Sequence, residues 1–289
     1  MVDVDESAVP FDDRQGELLP GCGIVEPMHI GRRKDEPVVV QPGRRPTARN
    51  LHRRHNLVLL GDAAESLRGL PAGLAQTVVT SPPYWSLRDY DVEGQIGMDE
   101  PLPVFLKSLV SIFDEVHRVL ADDGTVWVNI GDSYTSGNRG WRAPDKKNPA
   151  RAMASRPPTP EGLKDKDLIG VPWRFALAMQ EAGWYLRSDI IWYKPNCQPE
   201  SVRDRPTRSH EHIFLFSKSE RYHYDIDAVR GPNGRRLRDV WDINTVGYPG
   251  AHFATFPPEL VQRCIAIGSV EGDFLLDPRR LNVALSRAK

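Results

Sequence analysis

Apolar residues recur with two alternating periods along residues 56–278. "NLVLLGD" (56–62) is a short apolar run closed by Gly-Asp, the pattern of a strand, and "AAESLRGLPAG" after it has helical spacing stopped by Pro and Gly. "AQTVVTSPPY" (75–84) predicts a second buried strand. "PVFLKSLVSIFDEVHRVLADDG" (103–124) sets apolar side chains at helical intervals up to a glycine stop, and "TVWVNIGDSY" (125–134) returns to strand. "VPWRFALAMQEAGW" (171–184) predicts a helix with Pro in its first turn and Gly past its end. "YLRSDIIWYKP" and "HEHIFLFSKS" predict a strand pair, "FPPELVQRCIAIG" a helix, and "GDFLLDP" (272–278) a last strand. Such alternation implies an α/β fold with a mostly parallel sheet, whose ligands bind outside the carboxyl ends of the strands. Three predicted strands end there in Gly61-Asp62, Ser81-Pro82-Pro83-Tyr84 and Gly131-Asp132.

Charge divides the rest of the chain. The net charge of −1 excludes a uniformly basic nucleic-acid binder, but the distribution is uneven. The first 30 residues hold seven acids against one Arg, and residues 31–56 hold eight Arg and Lys against Asp35 and Glu36. Residues 1–50 are therefore expected to form a solvated, poorly ordered arm, with phosphate contact as the alternative, and folded structure is expected from Leu51. Residues 135–168 and 196–250 read as long, basic, turn-rich surface loops. The three cysteines, Cys22, Cys197 and Cys264, have no paired spacing for zinc or a disulfide framework, so no metal is expected and a reducing, cytoplasmic setting is implied. No apolar stretch approaches the ~20 residues of a membrane span.

The chemistry concentrates in "TSPPYW" (80–85). Two consecutive prolines remove two backbone donors and fix φ, so the carbonyls of Ser81 and Pro82 are held in a stiff acceptor geometry. The Ser81 hydroxyl also accepts, and Tyr84 and Trp85 add aromatic faces. Such a pocket suits a flat ring bearing an exocyclic NH₂. A plain turn followed by core aromatics remains the competing reading.

With its neighbours, this segment resembles the β-group DNA amino-methyltransferases, whose motif is Asp/Asn/Ser-Pro-Pro-Tyr/Phe. The serine form is similar to that of the enzymes acting on the N4 amine of cytosine. The resemblance runs in order through "LLGD", "YWSLRDYDVEGQIGMDE", "GTVWVNIGDSY", "DLIGVPWRFALAMQEAGWYLRSDIIWYKPN", "PESVRDRPTRSHEHIFLFSKS", "HFATFPPEL" and "FLLDP". It implies a Rossmann-like S-adenosylmethionine-dependent methyltransferase fold with circularly permuted motif order over residues 51–278. The implied substrate is double-stranded DNA with a flipped target base. By the same resemblance Ser81, Pro82, Pro83 and Tyr84 form the catalytic motif, with Ser81 and the Pro82 carbonyl accepting from the amine and Tyr84 stacking on the base. Asp62, Thr80, Ser81, Phe256, Pro257 and Asp277 are implied cofactor contacts. For Asp62 a helix cap, and for Phe256 ordinary core packing, stand as alternatives. Trp85, Arg139, Arg142, Lys146, Lys147, Arg203, Arg205 and Arg208 are the expected DNA contacts, against the alternative of a solvated charged face.

The resemblance breaks off after Pro278. The family continues with Phe and a glycine loop, whereas this sequence reads "DPRRLNVALSRAK", a tail (279–289) similar to the arginine-containing motif of superfamily-one helicases. The sheet is accordingly expected to be incomplete at its C-terminal end, with apolar surface exposed on "DFLLD" and cofactor affinity weakened. An inactive DNA-binding remnant and an adenine-N6 specificity are the alternatives to cytosine-N4 methylation.

Overall fold

The computed structural model describes residues 38–47, 51, 57–87, 95–98, 100–135, 158–246 and 257–276. Eight strands and four helices follow one another along it: β1 (Val38–Val40), β2 (Leu57–Leu59), α1 (Ala63–Arg68), β3 (Ala75–Thr80), α2 (Leu102–Val119), β4 (Leu120–Ile130), α3 (Val171–Glu181), β5 (Tyr185–Tyr193), β6 (His210–Ser217), β7 (Val240–Asp242), α4 (Pro258–Gly268) and β8 (Leu275–Leu276). Among the described residues six strands make the central sheet, in the order β7-β5-β6-β4-β3-β8. Only β6 runs against its neighbours, pairing antiparallel with both β4 and β5, while the β3–β4, β3–β8 and β5–β7 pairs are parallel.

Side chains alternate across the pleat, so each strand feeds two cores. On one face Val78, Val126, Val128, Phe214 and Phe216 meet α1, α2 and α3 through Leu67, Phe105, Phe113, Val116, Phe175 and Met179. On the other, Val79, Trp127, Trp192, Ile213, Leu215 and Trp241 meet α4 through Leu260, Cys264 and Ile267. α2 turns a continuous apolar stripe inward, with buried residues at 102, 105, 109, 112, 113 and 116. The backbone of Gly268 ends α4 directly against the sheet: its carbonyl accepts from the Thr77 hydroxyl at 2.5 Å, and a Cβ there would lie 2.7 Å from Oγ1 of both Thr77 and Thr125.

Four expectations change. Folded structure begins earlier than Leu51: β1 pairs in parallel with β2, and Val40 enters the core beside Leu59. The helix of 103–124 stops at Val119, because Leu120 turns extended (φ −70°, ψ 140°) and starts β4. Gly124 lies in an irregularity of the β3–β4 ladder, where pairing jumps from Ala75–Leu120 to Thr77–Thr125, and is no helix stop. The turn-rich stretch 219–250 contains β7, whose three residues Val-Trp-Asp are too few to show a period. Finally, Leu275 and Leu276 are buried beside β3 although β8 is the outermost strand among the described residues, so "DFLLD" does not expose its leucines. The expected tail at 279–289 lies outside the described residues.

Candidate active site

Because β6 is reversed, its first residues stand at the edge of the sheet where β3, β4 and β5 end. Four separate stretches meet there: Ser81 to Tyr84 after β3, Asn129 to Asp132 at the end of β4, Lys194 after β5, and Glu211 near the start of β6. The Tyr84 hydroxyl donates to Oε2 of Glu211 at 2.7 Å, and Asn129 Nδ2 donates to the same oxygen at 3.0 Å. Lys194 holds the other carboxylate oxygen, Oε1, and its ammonium lies 4.2 Å from the centre of the Trp192 ring. Gly131 gives the tyrosine room, since a Cβ at that position would stand 2.7 Å from Tyr84 Cε2.

The pair is largely withdrawn from water, with side-chain exposures of 16 % for Lys194 and 19 % for Glu211. Burial by itself pushes the Glu211 carboxyl up. The charge and hydrogen bond of Lys194, together with the bonds from Tyr84 and Asn129, outweigh it and hold the group below the usual carboxylate range, hence ionised. At the edge of the same cluster, burial and then the charges of His212 and Arg208 lower the His210 imidazole.

Asp132 binds the next element. Its carboxylate accepts from the main-chain N–H groups of Ser133 (2.8 Å), Gly170 (3.0 Å) and Val171 (3.0 Å), which caps α3 from a distant loop. Gly170 adopts φ +76°, a left-handed conformation natural to glycine. The Asp132 carbonyl receives the Arg208 guanidinium, and Arg205 lies 3.8 Å over the Tyr134 ring.

Ser81 is half-buried, its hydroxyl has no hydrogen-bond partner among the described residues, and no main-chain donor among them reaches the carbonyls of Ser81 or Pro82. Thr80 is buried as the last residue of β3. Asp62 caps α1 by accepting from Glu65 N at 2.9 Å, and it lines a small pocket with Gly61, Arg44 and Arg45. Pro257 is buried as the N-cap of α4. Trp85 corrects an expectation. It is 4 % exposed in the core and its indole N–H donates to the Glu100 carbonyl at 2.9 Å, so it offers no face to a base. Arg203 is exposed, whereas Arg205 is paired with Glu200 and stacked on Tyr134, and Arg208 is committed to the Asp132 carbonyl. Phe256, Asp277, Arg139, Arg142, Lys146 and Lys147 lie outside the described residues. No three His, Cys, Asp or Glu side chains among the described residues group as a metal site.

The family model for DNA methylases of the N6/N4 type matches residues 75–278, which takes in the whole of this sheet edge. The chain belongs to the N6/N4 DNA methylase family. The methylase is 63 % identical over 222 residues to the type II methyltransferase M.Cfr9I of Citrobacter freundii, covering 75 % of this chain and 74 % of that enzyme. It is 57 % identical over 227 residues to M.SmaI of Serratia marcescens, covering 76 % and 78 %. Among solved structures, the fold matches the PvuII DNA methyltransferase (cytosine-N4-specific) with a TM-score of 0.56 at 20 % identity, covering 79 % of this chain and 77 % of that one. It also matches a DNA modification methylase of Thermus thermophilus solved with S-adenosyl-L-methionine, at TM-score 0.51 and 24 % identity, covering 78 % and 81 %. The methylase has the Rossmann-like fold of these enzymes.

Sequence reasoning missed Glu211, Lys194, Asn129 and the capping role of Asp132. The signal for Glu211 was present in "HEHIFLFS": at period two it shares a face with Ile213 and Leu215, and an acid on a core face calls for a cation.

Proposed function

We propose that this methylase transfers a methyl group from S-adenosylmethionine to the N4 amine of cytosine in duplex DNA, as the modification enzyme of a type II restriction-modification pair. The observation that carries the reading is the Ser81-Pro82-Pro83-Tyr84 loop at the carboxyl end of β3, where, among the described residues, the Ser81 hydroxyl has no hydrogen-bond partner and the Ser81 and Pro82 carbonyls receive no main-chain donor, beside a tethered aromatic ring. Ser81 Oγ and the Pro82 carbonyl accept from the amine of an extruded cytosine, so nitrogen presents its lone pair to the methyl donor. Bound beside this loop, S-adenosylmethionine would supply an electrophilic sulfonium methyl; Ser81 Oγ and the Pro82 carbonyl would hold the amine that receives it, and the proton the amine gives up would pass to water. Tyr84 stacks on the base, a contact worth about 1–3 kcal/mol.

Two observations support a cofactor site: Asp62 places in a pocket a carboxylate of which one oxygen accepts no hydrogen bond among the described residues, and buried Pro257 opens α4, which packs on the central sheet. Asp62 and Pro257, with Thr80, Ser81, Phe256 and Asp277, are its proposed contacts. Arg139, Arg142, Lys146, Lys147 and Arg203 are the proposed phosphate contacts. Arg205 and Arg208, 3.8 Å and 5.4 Å from the centre of the Tyr134 ring, are proposed as further phosphate contacts.

Nucleoside analysis by mass spectrometry of DNA from cells expressing the chain tests this directly. N4-methylcytosine is the expected product. N6-methyladenine would overturn the choice of base, and unmodified DNA would overturn methyl transfer.

A further inference from the structure

We infer that Glu211 is a positioning residue: backed by Lys194, it clamps the Tyr84 hydroxyl and so sets the plane of the ring that meets the target base. This rests on the reading of Ser81 to Tyr84 as the base-binding loop.

A buried ion pair is by itself weak evidence of stabilisation, because desolvation offsets the Coulombic gain. Here the carboxylate is saturated in a directed way. One oxygen is taken by Lys194, and the other receives Tyr84 at 2.7 Å and Asn129 at 3.0 Å. Asn129 also donates to the His212 carbonyl at 3.2 Å, which ties the cluster to the β6 backbone. Lys194 is fixed in turn by the Trp192 face, itself in the core. The acceptor for the tyrosine is thus held at both of its oxygens.

The ring is bounded on a second side by Gly131, where a single methyl would collide with Cε2. Upstream, two prolines stiffen the backbone that carries it. Held at its hydroxyl, its edge and its backbone, the ring has one plane. Simple packing would need only the ring, which phenylalanine would supply. A phenol reaching a buried carboxylate adds orientation, and orientation acts on the rate of an in-line transfer more than on binding.

Steady-state kinetics of methyl transfer to duplex DNA, with hydrogen exchange over residues 81–87, test the clamp. Tyr84→Phe, which keeps every ring carbon, and Glu211→Gln are each expected to lower kcat about 10- to 100-fold with KM values for DNA and cofactor held within about twofold. The double variant is expected to be no worse than the poorer single: Glu211→Gln leaves one acceptor oxygen, which Lys194 takes, so both changes remove the same bond to the tyrosine. Lys194→Arg keeps the cation and retains most of kcat, while Lys194→Met loses it. Exchange over 81–87 should quicken in Tyr84→Phe and Glu211→Gln. Wild-type kcat in Tyr84→Phe, multiplying losses in the double variant, or unchanged exchange would each overturn the clamp. A wild-type chain that methylates no base would instead sink the functional reading, and the exchange data would still decide whether Glu211 tethers the loop.

Discussion

At Gly131 the smallest side chain is too large. A Cβ would approach Tyr84 Cε2 to 2.7 Å and the Glu211 carboxyl carbon to 3.4 Å, and both neighbours are held by the bonds that join them. Gly131→Ala is therefore expected to cost about 1–3 kcal/mol of stability by overpacking, read from urea unfolding, and to depress kcat by turning the tyrosine; an unchanged midpoint would contradict it. Glu211 links the same place to pH. Its folded carboxyl titrates below the unfolded one, so its contribution to stability is full above about pH 4.3 and drains away as pH falls through the folded value. Urea midpoints measured down an acid series should show wild type losing stability through that window more steeply than Glu211→Gln. Parallel curves would show that the carboxylate contributes nothing there. Of these residues the sequence displayed the Ser-Pro-Pro-Tyr loop plainly, because proline pairs and aromatics are legible one position at a time. It hid Lys194 and Glu211, which become partners only when β5 and β6 pair.

At the scale of elements, the longest helices and the strands with strong periods were legible: α3, α4, β3 and β6 lie within their predicted segments, and α2 starts one residue before its own. The misreadings fall where local pattern loses to pairing. "LADDG" has the look of a helix end, yet its backbone is drawn into β4 by the ladder with β3, and β7 exists because Trp241 fills a place beside Trp127 and α4. The start of α3 likewise depends on a residue far from it. Asp132 satisfies the N–H groups of Gly170 and Val171, so Asp132→Ala should destabilise the fold by about 1–2 kcal/mol in urea titrations, as lost caps do. Asp132→Asn, which keeps an acceptor oxygen, should recover most of that. Equal losses in the two variants would place the effect elsewhere. Because Asp132 directly follows Gly131, this cap also anchors the β4 end of the site.

For the whole molecule, a net charge of −1 means that attraction to DNA has to come from local basic surface. The logarithm of DNA affinity should fall linearly with the logarithm of salt concentration, by about 0.9 per phosphate neutralised, and Arg203→Ala should reduce that slope by about one contact. Filter binding across a salt series measures both, and salt-independent binding would remove the phosphate-contact proposal. Whole-chain topology was the least legible level, since nothing local announces that β6 enters the sheet backwards. That reversal also sets an order in time. Tyr84 leaves the ribosome 127 residues ahead of the glutamate its hydroxyl binds, so throughout that interval of synthesis the loop lacks its tether to β6. The bond between Tyr84 and Glu211 is completed only after β6 has slotted between two strands already made, and a nascent chain halted before that point carries the motif without it.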